Sequence, residues 1–587
     1  MLRFFHNVVD RLHHSLSQKQ FLLLSSVIVG LLSGSAAIVL KFSVHWLNGQ
    51  VTHYAQDYQQ FFLFTFFPLI GIALSVTYIR RVLKGDFKKG TAEIVYAIAK
   101  KSGVVAAKQI PGHIVTSGLT VGLGGSMGLE SPLVSTGSAI GSTYAQSFHL
   151  PHKERTVLLA CGAAAGIAAA FNSPIAGVLF AVEVLLVDIA ISAFIPLIIA
   201  AASGALLAKI VLKEGVLLTF TLQRPFDDTN VPYYVVLGVL CGVVSLYYVR
   251  MFTRIESKMA LIEKPYVRVG AGGLLLAGLL IFFPSLFGEG YESIKLVAGL
   301  HPEELIKNSI LFPLIHHEFE ILIFLLAIML IKVFAAAITL GAGGNGGNFA
   351  PSLFVGAYLG FVFSRATTLL GLGHIPESNF TIVAMAGILS GIFYAPLTAI
   401  FLIAEITGGY GLMIPLMIVS ALSVTVARHF EPLSMEAKKL SGKLKLSVED
   451  RDKYLLSKLD FTELIETDFE QVRPEGTLGD LVSAISSSQR NLFPVVDSAQ
   501  QLVGIIRLDD VREIIFSRDR YEKTVLSTIM QKPSTVISRH DDLHTVLQKF
   551  DETGDWNLPV ADEGRYIGFL SKSSILSRYR TELISTM

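Results

Sequence analysis

Two glycine-rich segments carry the residues best suited to chemistry: "GGSMGLESPLVSTGSAIGS" from Gly124 to Ser142 and "GGNGGNFAPSLFVGAYLG" from Gly343 to Gly360. Each interrupts apolar sequence and sets a proline, Pro132 or Pro351, just inside the start of a new helix. There the missing N–H costs little and the fixed φ helps the first turn. A helix that begins at membrane depth exposes unpaired backbone N–H groups and the positive end of its dipole. Such ends attract anions. Glycine allows the tight turn and the close approach of an ion to the backbone. Amides also hold an anion without a permanent cation in its path, which would favour capture over release.

The elements that must position these starts lie in lipid. Of the 587 residues 52% are hydrophobic and 16% charged, which departs from ordinary soluble domains. Uncharged runs cover Phe21–Leu40, Phe61–Ile79, Thr156–Val182, Val231–Val249, Val269–Phe287, Val333–Ser364, Phe380–Ala404 and Gly408–Ala427. Several are too long for one simple helix. Their interior Gly and Pro predict helices broken at membrane depth, where protein or a cavity surrounds the exposed backbone. A second echo supports duplication: "GIAAAFNSPIAGVLFAVEV" (Gly166–Val184) matches "ILSGIFYAPLTAIFLIAEI" (Ile388–Ile406), with Pro174 before Glu183 as Pro396 is before Glu405. Transporters often use such repeats in opposite orientations around one midplane site. With 48 Lys and Arg against 47 Asp and Glu, the net charge of +1 implies no nucleic-acid partner. Residues 1–20 mix charges with histidines and do not read as a signal peptide.

Charge density rises after Ala427, so the membrane part, residues 21–445, gives way to a linker, 446–457, and a soluble region. In that region "NLFPVVDSAQQLVGIIRLDDVREII" (Asn491–Ile515) and "WNLPVADEGRYIGFLSKSSILSRY" (Trp556–Tyr579) each read as strand, polar turn, strand and amphipathic helix. This tandem, 458–520 and 521–587, resembles CBS domains, an α/β module that in many relatives binds adenine nucleotides. The resemblance implies a Ser or Thr after the second strand and an Asp three residues on. Here the first repeat has Arg507 and Asp510, and the second Ser571 and Ser574. Neither has the full pair. Asp510 and Ser571 are the residues left to hold an adenine nucleotide, and a structural or dimerising module is the expected role, with no cofactor required.

The membrane part resembles the chloride channel (CLC) family from about Leu22 to Lys445. The motifs are "GLESP" (Gly128–Pro132), "GNFAP" (Gly347–Pro351) and "FNSPIAGVLFAVE" (Phe171–Glu183). The resemblance implies an α-helical multi-pass fold of inverted, duplicated repeats with broken helices. It also implies a homodimer in the bilayer with one chloride pathway per subunit, and a cytosolic N-terminus and CBS pair in a bacterial-type inner membrane. It makes Glu130 the gating residue, since a carboxylate in a helix's first turn can occupy the anion site and leave it on protonation. Gly128 and Leu129, with Asn348, Phe349 and Ala350, then belong to the two anion-binding helix starts. Three departures stand out. "KKGTA" (Lys88–Ala92) puts Lys89, beside Gly90, where the family has a Ser; the lysine either meets the central anion or snorkels to the cytosolic side. "SME" (Ser434–Glu436) puts Met435 or Glu436 where the family has a Tyr, so both hydroxyl donors are expected to be lost. The third is Val184, in place of an inner proton-transfer glutamate; Leu129 further replaces a basic residue. Chloride transport with weak or absent proton coupling is the expectation, with a water-mediated proton antiporter as the alternative.

Rival classes have weaker support. "TGGYG" (Thr407–Gly411) has the letters of a potassium filter without its pore-helix context. No His-Glu-x-x-His, cysteine cluster or nucleophile elbow appears in the membrane part, so an enzyme is not indicated. The adjacent pairs His13, His14 and His316, His317 point apart on a helix and read as surface residues. Cys161 and Cys241 read as small core residues, with no metal expected, and Lys332 as a snorkelling or helix-end cation.

Overall fold

The computed structural model describes residues 16–57, 64–185, 193–212, 225–307, 309–444, 461–541 and 543–586. His13, His14 and the linker 446–457 lie outside the described residues. The chain divides at Gly442 into a helical unit and a smaller α/β unit.

Apolar sequence punctuated by Gly and Pro builds the first unit. Its helices are α1 (Gln18–Asp57), α2 (Phe67–Arg81), α3 (Thr91–Lys100), α4 (Gln109–Gly122), α5 (Glu130–Ser147), α6 (His152–Phe171), α7 (Pro174–Phe180) and α8 (Phe194–Leu212). After them come α9 (Val231–Ala260), α10 (Pro265–Phe282), α11 (Tyr291–Ala298), α12 (Glu318–Gly341) and α13 (Phe349–Leu369). The unit ends with α14 (Glu377–Phe393), α15 (Pro396–Ile406), α16 (Met413–Phe430) and α17 (Met435–Leu444). Among the described residues, eight helical stretches are long and apolar enough to cross a membrane.

The breaks fall where Gly and Pro place them. Thr156–Val182 splits because Asn172 turns left-handed at φ 54° and Pro174 opens α7. Phe380–Ala404 splits in the same way, with Tyr394 at φ 56° and Pro396 opening α15. Val333–Ser364 divides into the end of α12 and the start of α13. "TGGYG" is the turn that ends α15, with Gly408 at φ 72°.

Two expectations need correction. Lys332 neither snorkels nor ends a helix: it lies inside α12, 0% exposed. Its Nζ donates to Ser126 Oγ at 2.8 Å and to the Gly288 carbonyl at 3.2 Å, so it needs no water. Reading α12 from uncharged runs therefore starts it too late. The span α8 is also absent from those runs; it carries Lys209 in its last turn, where a cation suits the helix dipole.

The duplication is visible in reciprocal contacts. Gly128 N–H donates to Gly347 O at 2.9 Å and Gly347 N–H to Gly128 O at 2.7 Å, an antiparallel bridge between the two glycine-rich loops. Glu183 accepts from the amides of Leu397 (3.0 Å) and Thr398 (2.7 Å) at the start of α15. Glu405 accepts from Ile175 (3.2 Å) and Ala176 (2.9 Å) at the start of α7. Residue i meeting j while j's equivalent meets i's is the signature of a two-fold relation. It explains the shared Pro-to-Glu spacing: each glutamate neutralises the unpaired amides of the other repeat's short helix. Helices α5 and α6 pack at close range because Gly137 meets the Gly162 backbone, as Gly360 on α13 meets Phe380 on α14. Cys161 and Cys241 are buried and free, as expected of small core residues.

The second unit holds two antiparallel hairpins, β1 (Leu492–Val496) with β2 (Leu502–Arg507) and β3 (Asn557–Asp562) with β4 (Arg565–Ser571). Among the described residues four helices accompany them: α18 (Leu478–Ser487), α19 (Leu508–Val511), α20 (Leu543–Thr553) and α21 (Lys572–Thr586). The repeats interlock. Glu466, ahead of the first hairpin, bridges to Phe569 on β4, and Gln531, ahead of the second, bridges to Ile505 on β2.

Candidate anion site between two half-helix starts

The bridge between Gly128 and Gly347 brings the starts of α5 and α13 together, so two sets of unpaired amides face one region. Glu130 is the first residue of α5 and is 2% exposed. Its Oε1 accepts a 2.6 Å hydrogen bond from the Tyr291 hydroxyl. Its Oε2 is buried without a hydrogen bond. The side chain folds back over Gly128, where a Cβ would collide with Oε2 and lie 2.9 Å from the Ala350 Cβ. Glycine is required there because the carboxylate needs that space. A carboxyl group thus already sits where the two helix starts converge.

The second start is walled by rings. Phe349 is buried between Phe180, at 5.5 Å between centroids, and Phe393, at 4.5 Å. Leu129 and Ala350 are buried beside it. Asn348, the N-cap residue of α13, accepts from the Tyr248 hydroxyl at 3.1 Å and directs its amide nitrogen at Met435 Sδ, 3.9 Å away. Met435 is 1% exposed at the start of α17, so its thioether packs where a tyrosine ring was absent from the sequence. The adjacent Glu436 accepts from the Ala92 amide at 3.1 Å.

Lys89 reaches the end of α12. Its ammonium donates to the carbonyls of Gly343 (2.6 Å) and Gly344 (2.9 Å), just past the C-terminus of α12. Cations suit that end of a helix. Gly90 follows at φ 89° as the N-cap of α3, and Thr91 lies 3.3 Å from Ser131, linking α3 to the first turn of α5. Val184 is half-buried in the π-helical extension of α7, packed on the core.

In the second unit Asp510 is exposed on α19, whereas Ser571 is buried with its hydroxyl 3.0 Å from Glu466 Oε1. Arg507 is engaged with Asp555 at 2.8 Å.

Tyr291 and Tyr248, which sequence reading passed over, hold Glu130 and Asn348. Tyr291 and Glu289 carry a faint local signal, "GEGY" (Gly288–Tyr291), a glycine-flanked carboxylate between apolar runs. Tyr248 carries none, since its partner Asn348 is 100 residues away in the chain.

The profile of the family described as "Voltage gated chloride channel" matches residues 69–428, and that of the CBS domain matches 462–517 and 526–581. A "Putative chloride channel protein ClcB-like" of Ralstonia nicotianae is 29% identical over 60% of this chain and 79% of its own. An "H(+)/Cl(-) exchange transporter ClcA" of Klebsiella pneumoniae is 29% identical over 70% and 85%. A "Voltage-gated ClC-type chloride channel ClcB" of Escherichia coli is 31% identical over 54% and 71%. In fold the chain is similar to a "slow cyanobacterial Cl-/H+ antiporter", with TM-score 0.65, 21% identity and coverage of 73% of this chain and 99% of that one. It is also similar to a "eukaryotic CLC transporter", with TM-score 0.61, 18% identity and coverage of 95% and 99%. Paired half-helix starts in an inverted, duplicated membrane unit, followed by two CBS repeats, make this chain a member of the voltage-gated chloride channel family, an integral membrane protein that transports anions and is not an enzyme.

Proposed function

We propose that the protein carries chloride, or a similar small monovalent anion, through one pathway in each subunit of a homodimer, gated by Glu130 and with weak or absent proton coupling. The observation that carries this reading is the buried Glu130 carboxylate, folded over Gly128 between two sets of helix-start amides. It stands in the anion's place. Protonation removes its charge and its claim on those amides, so an anion enters as the pH falls. The amides at Leu129 and Glu130 and at Asn348, Phe349 and Ala350 hold the ion; Lys89, Gly90 and Met435 frame the far end of its path. Val184 cannot carry a proton, which favours passive movement.

A second reading is proton-coupled exchange with water in place of the inner carboxylate. It is favoured by the similarity to a relative named an H(+)/Cl(-) exchange transporter. Purified protein in liposomes separates the two. Chloride efflux without proton movement supports the passive reading. Protons driven uphill by a chloride gradient in a fixed ratio, lost in Glu130→Ala, establish exchange instead. In this reading the CBS pair lies on the cytosolic side, which the likeness to the family supports. Its nucleotide affinity is expected to be weak, since Arg507 is tied to Asp555 and Ser571 to Glu466. Equilibrium dialysis of ATP against the full-length protein tests this.

A further inference from the structure

Among the described residues, one hydrogen bond holds the Glu130 side chain: the Tyr291 hydroxyl donates to Oε1 at 2.6 Å, and Oε2 has no partner. Tyr291 is the first residue of α11, and its ring meets Phe171 edge-on with centroids 6.5 Å apart. Ile294 and Val297, both fully buried, seat α11 in the core. The loop before it is fastened to the segment that leads into α5. Gly288 N–H donates to the Gly124 carbonyl at 3.0 Å. Lys332 on α12 joins the same two segments, donating to Ser126 Oγ at 2.8 Å and to the Gly288 carbonyl at 3.2 Å. Gly290 turns the chain at φ 91°, where a Cβ would lie 2.6 Å from the Phe354 ring. The phenol is thus aimed at Glu130 by contacts in which the carboxylate takes no part.

A phenol donating to an ionised carboxylate makes a charge-assisted bond, stronger than the one it makes to a neutral carboxyl. It therefore favours the ionised Glu130 that competes with an anion. Without that donor the carboxylate would be buried with neither oxygen bonded, which penalises the charged form more than the neutral one. The single point of attachment also leaves the side chain free to swing away once the bond breaks. Lys41 on α1, Glu289 in the loop and Lys332 on α12 are the other charged groups that act on this region, and a change confined to the Tyr291 hydroxyl leaves all of them in place.

We propose that the Tyr291 hydroxyl is the latch of the gate: it holds ionised Glu130 in the anion's place, and chloride passes when that bond is broken. This rests on the reading that Glu130 occupies an anion position, and the test tells the two claims apart. Full-length wild-type protein, Tyr291→Phe, Glu130→Ala and the double variant are reconstituted in liposomes. Chloride efflux is followed between about pH 4.5 and about pH 7.5, a range over which exposed carboxylates complete their ionisation. Phenylalanine keeps the ring against Phe171, so the variant removes the hydroxyl alone. Tyr291→Phe is expected to speed efflux about tenfold at the upper pH, the worth of one hydrogen bond to a charged group, and to raise the pH of half-maximal efflux by about one pH unit. Chloride titration calorimetry at the upper pH is expected to show about tenfold tighter binding, because the competitor is held less firmly. In Glu130→Ala the hydroxyl has nothing to hold, so the double variant is expected to match Glu130→Ala in both readings. A tyrosine that served packing alone would act equally in both backgrounds. If Glu130→Ala departs from wild type while Tyr291→Phe is no faster than wild type, or while the hydroxyl changes efflux by the same factor with and without Glu130, the latch is overturned and Glu130 stays the gate. Glu130→Ala matching wild type overturns the reading of Glu130, and the latch with it.

Discussion

The starts of α5 and α13 have the same backbone and opposite side chains. Glu130 and Phe349 occupy matching positions, each two residues after the bridged Gly128 or Gly347 and two before Pro132 or Pro351. Both starts offer unpaired amides to an anion. Only the first carries a group that can compete with it. Phe349 is held by two rings and is part of a wall, whereas Glu130 has a buried oxygen without a hydrogen bond of ordinary geometry. Duplication thus supplies two similar helix starts, and they differ in whether a carboxylate stands on them.

The comparison is broken most directly at Glu130. Glu130→Gln is expected to change chloride efflux and to remove most of its pH dependence, because the titratable competitor is gone; a retained wild-type profile places the gate elsewhere. On the other start, Phe349→Ala should lower stability by about 3–5 kcal/mol, the usual cost of emptying a packed aromatic site. Its efflux should keep the pH response, and a flattened response would show that the carboxylate's titration does not reach the path without the wall. Thermal unfolding in detergent reads the first quantity and liposome flux the second.

The reciprocal caps sharpen the comparison further. Glu183→Gln and Glu405→Gln each weaken charge-assisted bonds to two amides, and each should cost about 1–2 kcal/mol. Equal shifts in melting temperature support a two-fold relation between the caps, while one silent variant would show that only one repeat depends on its partner. The smallest effect lies in the α/β unit, where the Arg490 guanidinium beside Asp468 holds its carboxyl below its usual value. A group depressed in the folded state contributes stability above its unfolded value, near 3.9, and loses it as pH falls through the folded value. Hydrogen exchange around Asp468 in the full-length protein should therefore quicken below about pH 4. Asp468→Asn should remove that acid step, and an unchanged profile would assign it to another group.

Much of this architecture is legible along the chain because its causes are local. Glycine at a forced turn, proline at a helix start and the ordered echoes depend on a few neighbouring residues, so they locate the half-helix starts and single out Glu130. Uncharged runs find most spans for the same reason, and they fail at Lys332, whose charge is satisfied by residues more than forty positions away. The α/β unit is legible as two repeats, but not the interlock that pairs Glu466 with the second hairpin and Gln531 with the first.

Sequence by itself located two helix starts with unpaired backbone amides, and which start bears the carboxylate. Tertiary structure alone decided what surrounds them. It brought Tyr291 to Glu130 across 161 residues, Tyr248 to Asn348 across 100, and Lys89 to carbonyls across more than 250. A turn is set by torsions within a few residues, and its energy is readable from their types. A buried polar group is set by whichever distant element meets it, since desolvation makes any adequate partner better than none. Sequence spacing does not encode that partner; packing does.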